Sequence, residues 1–118
     1  MNTLTIILTL LVALEHFYIM FLETLATTSR RTSKVFGIDQ ERLADKNISV
    51  LLKNQGVYNL LLAGLLIVAV VQEDLLWTRL LLSYVVLVAA YGSLTSNPAI
   101  ILKQGGLAVL ALMASWVG

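Results

Sequence analysis

The sequence predicts an all-α membrane protein, a bundle of four transmembrane helices with a basic cytoplasmic connection between the first two. Its 118 residues are 58% hydrophobic and 13% charged, with a mean hydropathy of +0.87, whereas a soluble domain is about one-quarter charged. Four apolar segments approach the roughly 20 residues that a helix needs to cross a bilayer. The segments lie at about 3–26, 51–71, 75–94 and 98–117, so residues 1–118 are predicted to form a single integral membrane domain.

The first segment carries two adjacent ionisable residues, Glu15 and His16, near its middle. A charged side chain near the bilayer centre costs roughly 2.5 kcal/mol or more, so this pair is predicted to have a function. The polar residues 27–29 then predict the end of the helix. A cleaved signal peptide is the weaker alternative, because no basic residue precedes the apolar run.

Most of the positive charge lies in the connection between the first and second segments. Six of the eight basic residues fall there, partly offset by three acidic residues. Because cytoplasmic loops carry an excess of Lys and Arg, this connection is predicted to face the cytoplasm, which places the N-terminus and the C-terminus outside. The six residues are Arg30, Arg31, Lys34, Arg42, Lys46 and Lys53.

The end of this connection is predicted to be helical. Residues 35–38 have the composition of an apolar turn on the membrane surface, and Asp39 is a favourable N-cap for a helix that begins at Gln40. That helix is expected to continue into the second span, either unbroken or with a bend near Asn47.

Polar residues are predicted to enter the membrane at the start of the second span. The purely apolar residues 60–71 are too few to cross a bilayer, so Asn54, Gln55 and Asn59 must lie at headgroup depth or deeper.

The remaining two spans are marked by their ends. Trp77 and Arg79 are predicted to be an interfacial aromatic residue and a snorkelling cation at the start of the third helix. Asn97 is predicted to cap the fourth helix, with Pro98 at its first position, where a missing N–H costs nothing.

The four predicted spans place their polar residues at similar depth in the cytoplasmic half of the bilayer. We therefore predict a polar site that opens toward the cytoplasm, with Glu15 and His16 at its floor. The predicted ligand-binding residues are Glu15, His16, Glu23, Asn54, Gln55, Tyr58, Asn59, Tyr91, Lys103 and Gln104.

Helical geometry supports part of this arrangement. At 100° per residue, His16 and Glu23 lie about 20° apart around the first helix, whereas Glu15 points about 100° away from His16. In the second helix, Asn54 and Tyr58 are four residues apart, as are Gln55 and Asn59, so these four residues form one polar stripe.

Composition excludes several kinds of site. Without cysteine the chain has no disulfide, no thiolate nucleophile and no cysteine metal ligand. The one histidine makes a metal site unfavourable, and neither a metal nor a cofactor is expected. The net charge of +1 gives no reason to expect nucleic acid as a partner.

The whole chain resembles a family of small bacterial integral membrane proteins catalogued as a domain of unknown function, DUF1304. The resemblance is carried by residues 13–16 (ALEH) with Tyr18 and Glu23, residues 35–37, residues 54–59 (NQGVYN) and residues 103–106, of which the NQGxYN run is the most specific. It implies a four-helix protein of the bacterial plasma membrane and no established activity. The chain departs from the family at Leu107, where a proline often follows the glycines.

Three classes of function remain open. The first is a small-solute or ion transporter, with or without proton coupling, in which Glu15 binds a proton or cation and His16, Asn59 and Lys103 shape the site. The second is a membrane-embedded enzyme or binder that uses Glu15 and His16 as an acid/base pair on a lipid-like molecule. The third is a non-catalytic partner protein whose basic loop binds anionic lipid or another membrane protein.

Each polar residue also has a purely structural interpretation. Glu15, His16 and the amides of the second helix would then fix the register of the bundle through hydrogen bonds, and Lys103 would snorkel to the inner surface. The sequence leaves open whether catalysis occurs. The bilayer is the expected environment, and a homodimer is favoured because four helices are few for a transport pathway.

Overall fold

A computed structural model describes residues 1–96 and 103–117 of the chain, and all regular structure in them is helical, as predicted. A π-helical turn, Phe21–Leu25, directly extends the first helix. The helices are α1 (Thr3–Met20), α2 (Arg30–Phe36), α3 (Gln40–Leu43), α4 (Lys46–Val71), α5 (Leu75–Thr95) and α6 (Gly106–Ser115).

Three of the helical segments are long and apolar enough to cross a membrane. They are Thr3–Leu25, which includes the π-helical turn, Lys46–Val71 and Leu75–Thr95. They coincide with the first three predicted spans. Helix α6, by contrast, has only ten residues, and the predicted start of the fourth span at Asn97 and Pro98 lies outside the described residues.

Large apolar side chains cover the outer faces of these helices. On α5, for example, Leu76, Leu87 and Leu94 are 65%, 70% and 86% exposed. Contiguous apolar surface of this kind is unfavourable in water but suits a hydrocarbon environment. The three long helices are therefore compatible with a membrane protein.

The chain divides into two compact units, of which the first comprises Met1–Glu15 and Ala63–Gly118. Here α5 packs against α6. The buried face of α6 consists of small residues, Ala108, Ala111, Ala114 and Ser115. Small side chains let two helix backbones approach closely.

Polar contacts join three helix ends in the first unit. Asn2 caps α1 by accepting a 2.7 Å hydrogen bond from the backbone N–H of Thr5, and its Nδ2 donates to the carbonyls of Ala114 and Val117, each at 2.8 Å. Arg79, near the start of α5, donates from Nη2 to the carbonyl of Ser115 at 2.7 Å. The start of α1, the start of α5 and the end of α6 thus lie together.

Arg79 has a second partner at this end. Its guanidinium carbon lies 3.4 Å from the centroid of the Trp116 ring, a cation–π contact. The predicted snorkelling cation is therefore held by the C-terminal end of α6, where carbonyl groups lack helical donors and favour a positive charge.

The second unit comprises His16–Leu62, from the last turn of α1 to the first half of α4. Ser29 caps α2 by accepting from the backbone N–H of Thr32 at 3.1 Å. Gly37 ends α2 in the left-handed conformation, with φ of +67°. The apolar turn predicted at residues 35–38 is instead the last turn of α2 and its glycine cap.

The helix predicted from Gln40 into the second span is divided. Helix α3 ends at Leu43, and α4 begins at Lys46, slightly before the bend predicted near Asn47. Asp45 causes the new start, because its Oδ1 accepts from the backbone N–H of Asn47 at 2.9 Å. Asp39 precedes α3 as predicted, but its side chain makes no capping hydrogen bond.

Candidate functional site

Glu23 and Asn59 form the central contact of the second unit. Glu23 lies in the π-helical turn and is only 6% exposed. The Nδ2 of Asn59, in α4, donates to its Oε1 at 2.7 Å, across 36 residues of sequence. The amide is uncharged, so it solvates the carboxylate without neutralising it.

The π-helical turn shapes the backbone around Glu23. The last carbonyl groups of a helix lack intrahelical donors, and here threonine hydroxyls contact three of the carbonyls. Thr27 Oγ1 donates to the carbonyl of Glu23 at 2.7 Å, and Thr32 Oγ1 contacts the carbonyls of Leu22 and Ala26 at 3.1 and 2.7 Å. Such turns within α-helices occur frequently at functional sites.

Close packing of α4 against the same turn holds Asn59 in reach of Glu23. Gly56 is buried, and a Cβ atom added there would overlap Oγ1 of Thr24 and press against the carbonyl of Met20. Oγ1 of Thr24 is itself buried, with no hydrogen-bond partner among the described residues. A glycine three residues before Asn59 therefore allows the two backbones to approach.

The other predicted residues of the second unit differ in exposure. His16 is 1% exposed. Asn54, Gln55 and Tyr58 are exposed, so the polar stripe predicted on α4 does not turn toward Glu23 as a whole. Only Asn59 does so, and it makes a second contact, to the carbonyl of Gln55 at 3.1 Å.

The predicted residues of the first unit are half-buried or exposed. Glu15 is half-buried, and its Oε1 is buried without a hydrogen-bond partner among the described residues, so Lys103 does not bond to that oxygen. Lys103 and Tyr91 are exposed, and Gln104 is half-buried. The structure thus brings together Glu23 and Asn59, whereas Lys103 is not seen paired with Glu15.

The described residues contain no group of three or more His, Asp or Glu side chains that could hold a metal ion. They do contain a cavity of about 270 Å³ at the turn between α4 and α5 in the first unit, lined by Val68, Gln72 and Trp77 among others. None of the lining residues belongs to the predicted site.

Sequence reasoning missed two parts of the site, the π-helical turn and Thr24. Nothing in a single sequence distinguishes a π-helical turn from the last turn of an α-helix. A weak signal for the contact was available in Gly56, a small residue inside a polar run of a spanning helix.

Comparison with known proteins gives one family and a close relative. A family model described as "Protein of unknown function (DUF1304)" matches residues 10–116. The "Uncharacterized protein YpaA" of Lactococcus lactis subsp. lactis (strain IL1403) is 57% identical over 118 residues, which cover 98% of this chain and 99% of that protein. No solved structure matches the chain.

Proposed function

This chain belongs to the DUF1304 family of proteins of unknown function, and from that premise we propose that it is a four-span membrane protein that binds a small solute or ion inside the bilayer. The site is centred on Glu23 and Asn59 and opens toward the cytoplasm. Binding there is coupled to proton exchange, so the protein acts as a small proton-linked transporter.

The buried contact between Glu23 and Asn59 carries this proposal. A carboxylate inside a membrane protein needs a compensating charge, and a neutral amide does not supply one. A proton or a ligand cation meets that need, and the amide can orient either form of the acid. Purely structural helix contacts in membranes are made more economically by neutral groups.

Glu15 provides a second acidic group on the same helix. It lies eight residues before Glu23 in the sequence, near the middle of the first apolar segment. Its buried Oε1 has no hydrogen-bond partner among the described residues. We assign to Glu15 a role in proton uptake from deeper in the membrane.

Polar contacts in the first unit support the four-span topology. Asn2 bonds to the carbonyls of Ala114 and Val117, so the two ends of the chain lie side by side. Helices α1, α4 and α5 supply three crossings, and a chain whose ends lie on one side of a membrane must cross it an even number of times. We propose that α6 belongs to a fourth crossing.

The basic connection supports the cytoplasmic placement of the site. Glu23 lies two residues before the end of the first spanning segment at Leu25, and Arg30, Arg31 and Lys34 follow within three turns. Under the positive-inside rule this end of the helix faces the cytoplasm. Ligand then enters from the inner side of the bacterial plasma membrane.

A flux assay tests the proposal. The purified chain is reconstituted in vesicles that contain a pH-sensitive dye, and a pH gradient is imposed with Na⁺, K⁺ or choline as the external cation. We expect proton flux above that of empty vesicles, and we expect Glu23→Gln to abolish it because the neutral side chain can no longer exchange a proton.

Glu41→Gln is the matched control, since Glu41 is an exposed acid in α3 and the substitution removes the same charge. It should leave the flux unchanged. Equal flux in wild type and Glu23→Gln, or no flux in any of the three cation conditions, would count against a proton-linked transporter.

A further inference from the structure

Helix α2 presents one strongly cationic face. Its sequence contains three basic residues and no acidic residue. At about 100° per residue, Arg30, Lys34 and Arg31 fall within one arc of about 100°, and all three side chains are exposed. Thr32 lies on the opposite side of α2 and is fully buried.

The buried side of α2 fixes this face to the end of the first spanning segment. Thr32 Oγ1 contacts the carbonyls of Leu22 and Ala26 at 3.1 and 2.7 Å. Leu22 belongs to the π-helical turn, so α2 is held against the place where the span ends. When that span crosses a bilayer, the cationic face stands at the level of the headgroups.

One of the cations is also oriented by the first helix. Arg31 Nε donates to Oη of Tyr18 at 2.8 Å. This bond uses only Nε, and the guanidinium is a planar group that suits bidentate contacts to phosphate oxygens. The neighbouring Val35 is 46% exposed and continues the outer surface of α2 with an apolar side chain, as in helices that lie at a membrane interface.

We propose that the face formed by Arg30, Arg31 and Lys34 binds the phosphate headgroups of anionic lipids in the inner leaflet. Three fixed cations at headgroup level complement the charge of such a leaflet, and each basic residue near an anionic surface strengthens binding about fivefold. This inference rests on the first helix crossing the membrane and does not depend on transport.

Lipid selectivity tests the proposal. The full chain is reconstituted in nanodiscs with equal amounts of phosphatidylglycerol and phosphatidylcholine, and the lipids retained after release are counted by native mass spectrometry. Wild type should retain phosphatidylglycerol preferentially. The variant Arg30→Gln/Arg31→Gln/Lys34→Gln should lose this preference by at least about tenfold.

The matched control is Arg42→Gln/Lys46→Gln/Lys53→Gln, which removes the same charge from α3 and the first turns of α4. It should keep the preference. An equal loss in both triple variants, or no preference in wild type, would overturn the proposal. So would displacement of phosphatidylglycerol by equimolar inorganic phosphate, because the site would then take a free anion.

A second pair of variants tests the placement of α2 with all cations present. Thr32→Val removes the hydroxyl that contacts the end of the first span, and it should weaken phosphatidylglycerol retention. Thr28→Val, at an exposed position, should not. Unchanged retention in Thr32→Val would overturn a positioned site. Circular dichroism confirms that every variant keeps its helix content, and flux measured on the triple variant separates this site from that at Glu23.

Discussion

At the scale of single residues, the second unit is organised by a buried acid and its amide partner. Glu23 is almost inaccessible, and its hydrogen bond from Asn59 connects two elements that are distant in sequence. The two partners are not equivalent. Removing the charge of Glu23 leaves an acceptor in place, whereas removing the amide leaves a buried carboxyl group without its donor.

This asymmetry predicts different stabilities for two variants. Asn59→Leu should lower the free energy of unfolding by about 1–3 kcal/mol, because the Glu23 carboxyl loses its hydrogen bond. Glu23→Gln should change it by less than about 1 kcal/mol, since the amide oxygen still accepts from Asn59. Unfolding in mixed micelles of increasing sodium dodecyl sulfate measures both. A larger loss for Glu23→Gln would mean that the negative charge itself stabilises the fold.

A second prediction at this scale concerns the close contact between Gly56 and Thr24. Gly56→Ala should destabilise the protein by about 1–3 kcal/mol, because the new methyl group overlaps the Thr24 hydroxyl. Gly64→Ala is the control, as a Cβ there meets no atom within 4 Å. It should be neutral or stabilising by up to about 1 kcal/mol, the difference in helix propensity.

Double substitution separates the contact from other causes. In the background of Thr24→Ala, which lacks the hydroxyl, Gly56→Ala should cost measurably less than in wild type. Equal losses of stability in the two backgrounds would show that the Thr24 hydroxyl does not exclude a side chain at position 56.

At the scale of elements, helix boundaries depend on short polar residues that the sequence offers in several places. Asp39 and Asp45 are both plausible N-caps, but only the Asp45 side chain accepts from the helix that follows it. Ser29 likewise accepts a hydrogen bond from the first turn of the helix that follows it, α2. The residue type alone therefore does not identify an N-cap. The backbone must also place the side chain within hydrogen-bonding distance of the first N–H groups of the helix.

The two aspartates give a matched prediction. Asp45→Ala should lower the free energy of unfolding by about 1 kcal/mol, because the first turn of α4 loses its side-chain acceptor. Asp39→Ala should have an effect within about 0.5 kcal/mol, as no capping hydrogen bond is lost. The same detergent titration compares them, and hydrogen exchange of the Asn47 amide reports the cap directly. A larger effect at Asp39 would contradict this assignment.

At the scale of the whole molecule, the hydrogen bonds from Asn2 to the carbonyls of Ala114 and Val117 predict that Asn2 and Val117 lie on the same side of the membrane. The chain contains no cysteine, so single introduced cysteines label uniquely. In intact cells, Thr3→Cys and Val117→Cys should react with a membrane-impermeant maleimide, and Glu41→Cys should react only after lysis. Reaction of Thr3→Cys and Val117→Cys from opposite sides would require an odd number of crossings.

Some features follow from sequence alone because their causes are local. An apolar run of sufficient length must be helical to satisfy its backbone in a membrane, so the three long apolar helices were predictable, although the second begins at Lys46, five residues before its predicted start. The position of Glu23 near the end of the first long apolar helix and the cationic composition of residues 30–34 were also evident from the sequence.

The choice among the polar residues was decided only by tertiary structure. The helical spacing predicts that the four polar residues of α4 form one stripe. Of these, only Asn59 bonds to Glu23. The other three, Asn54, Gln55 and Tyr58, are exposed. The close approach of α4 to Thr24 at Gly56 selects Asn59, on the π-helical turn that carries Glu23. Periodicity gives the face of a single helix, whereas the partner of each side chain depends on the register between two helices.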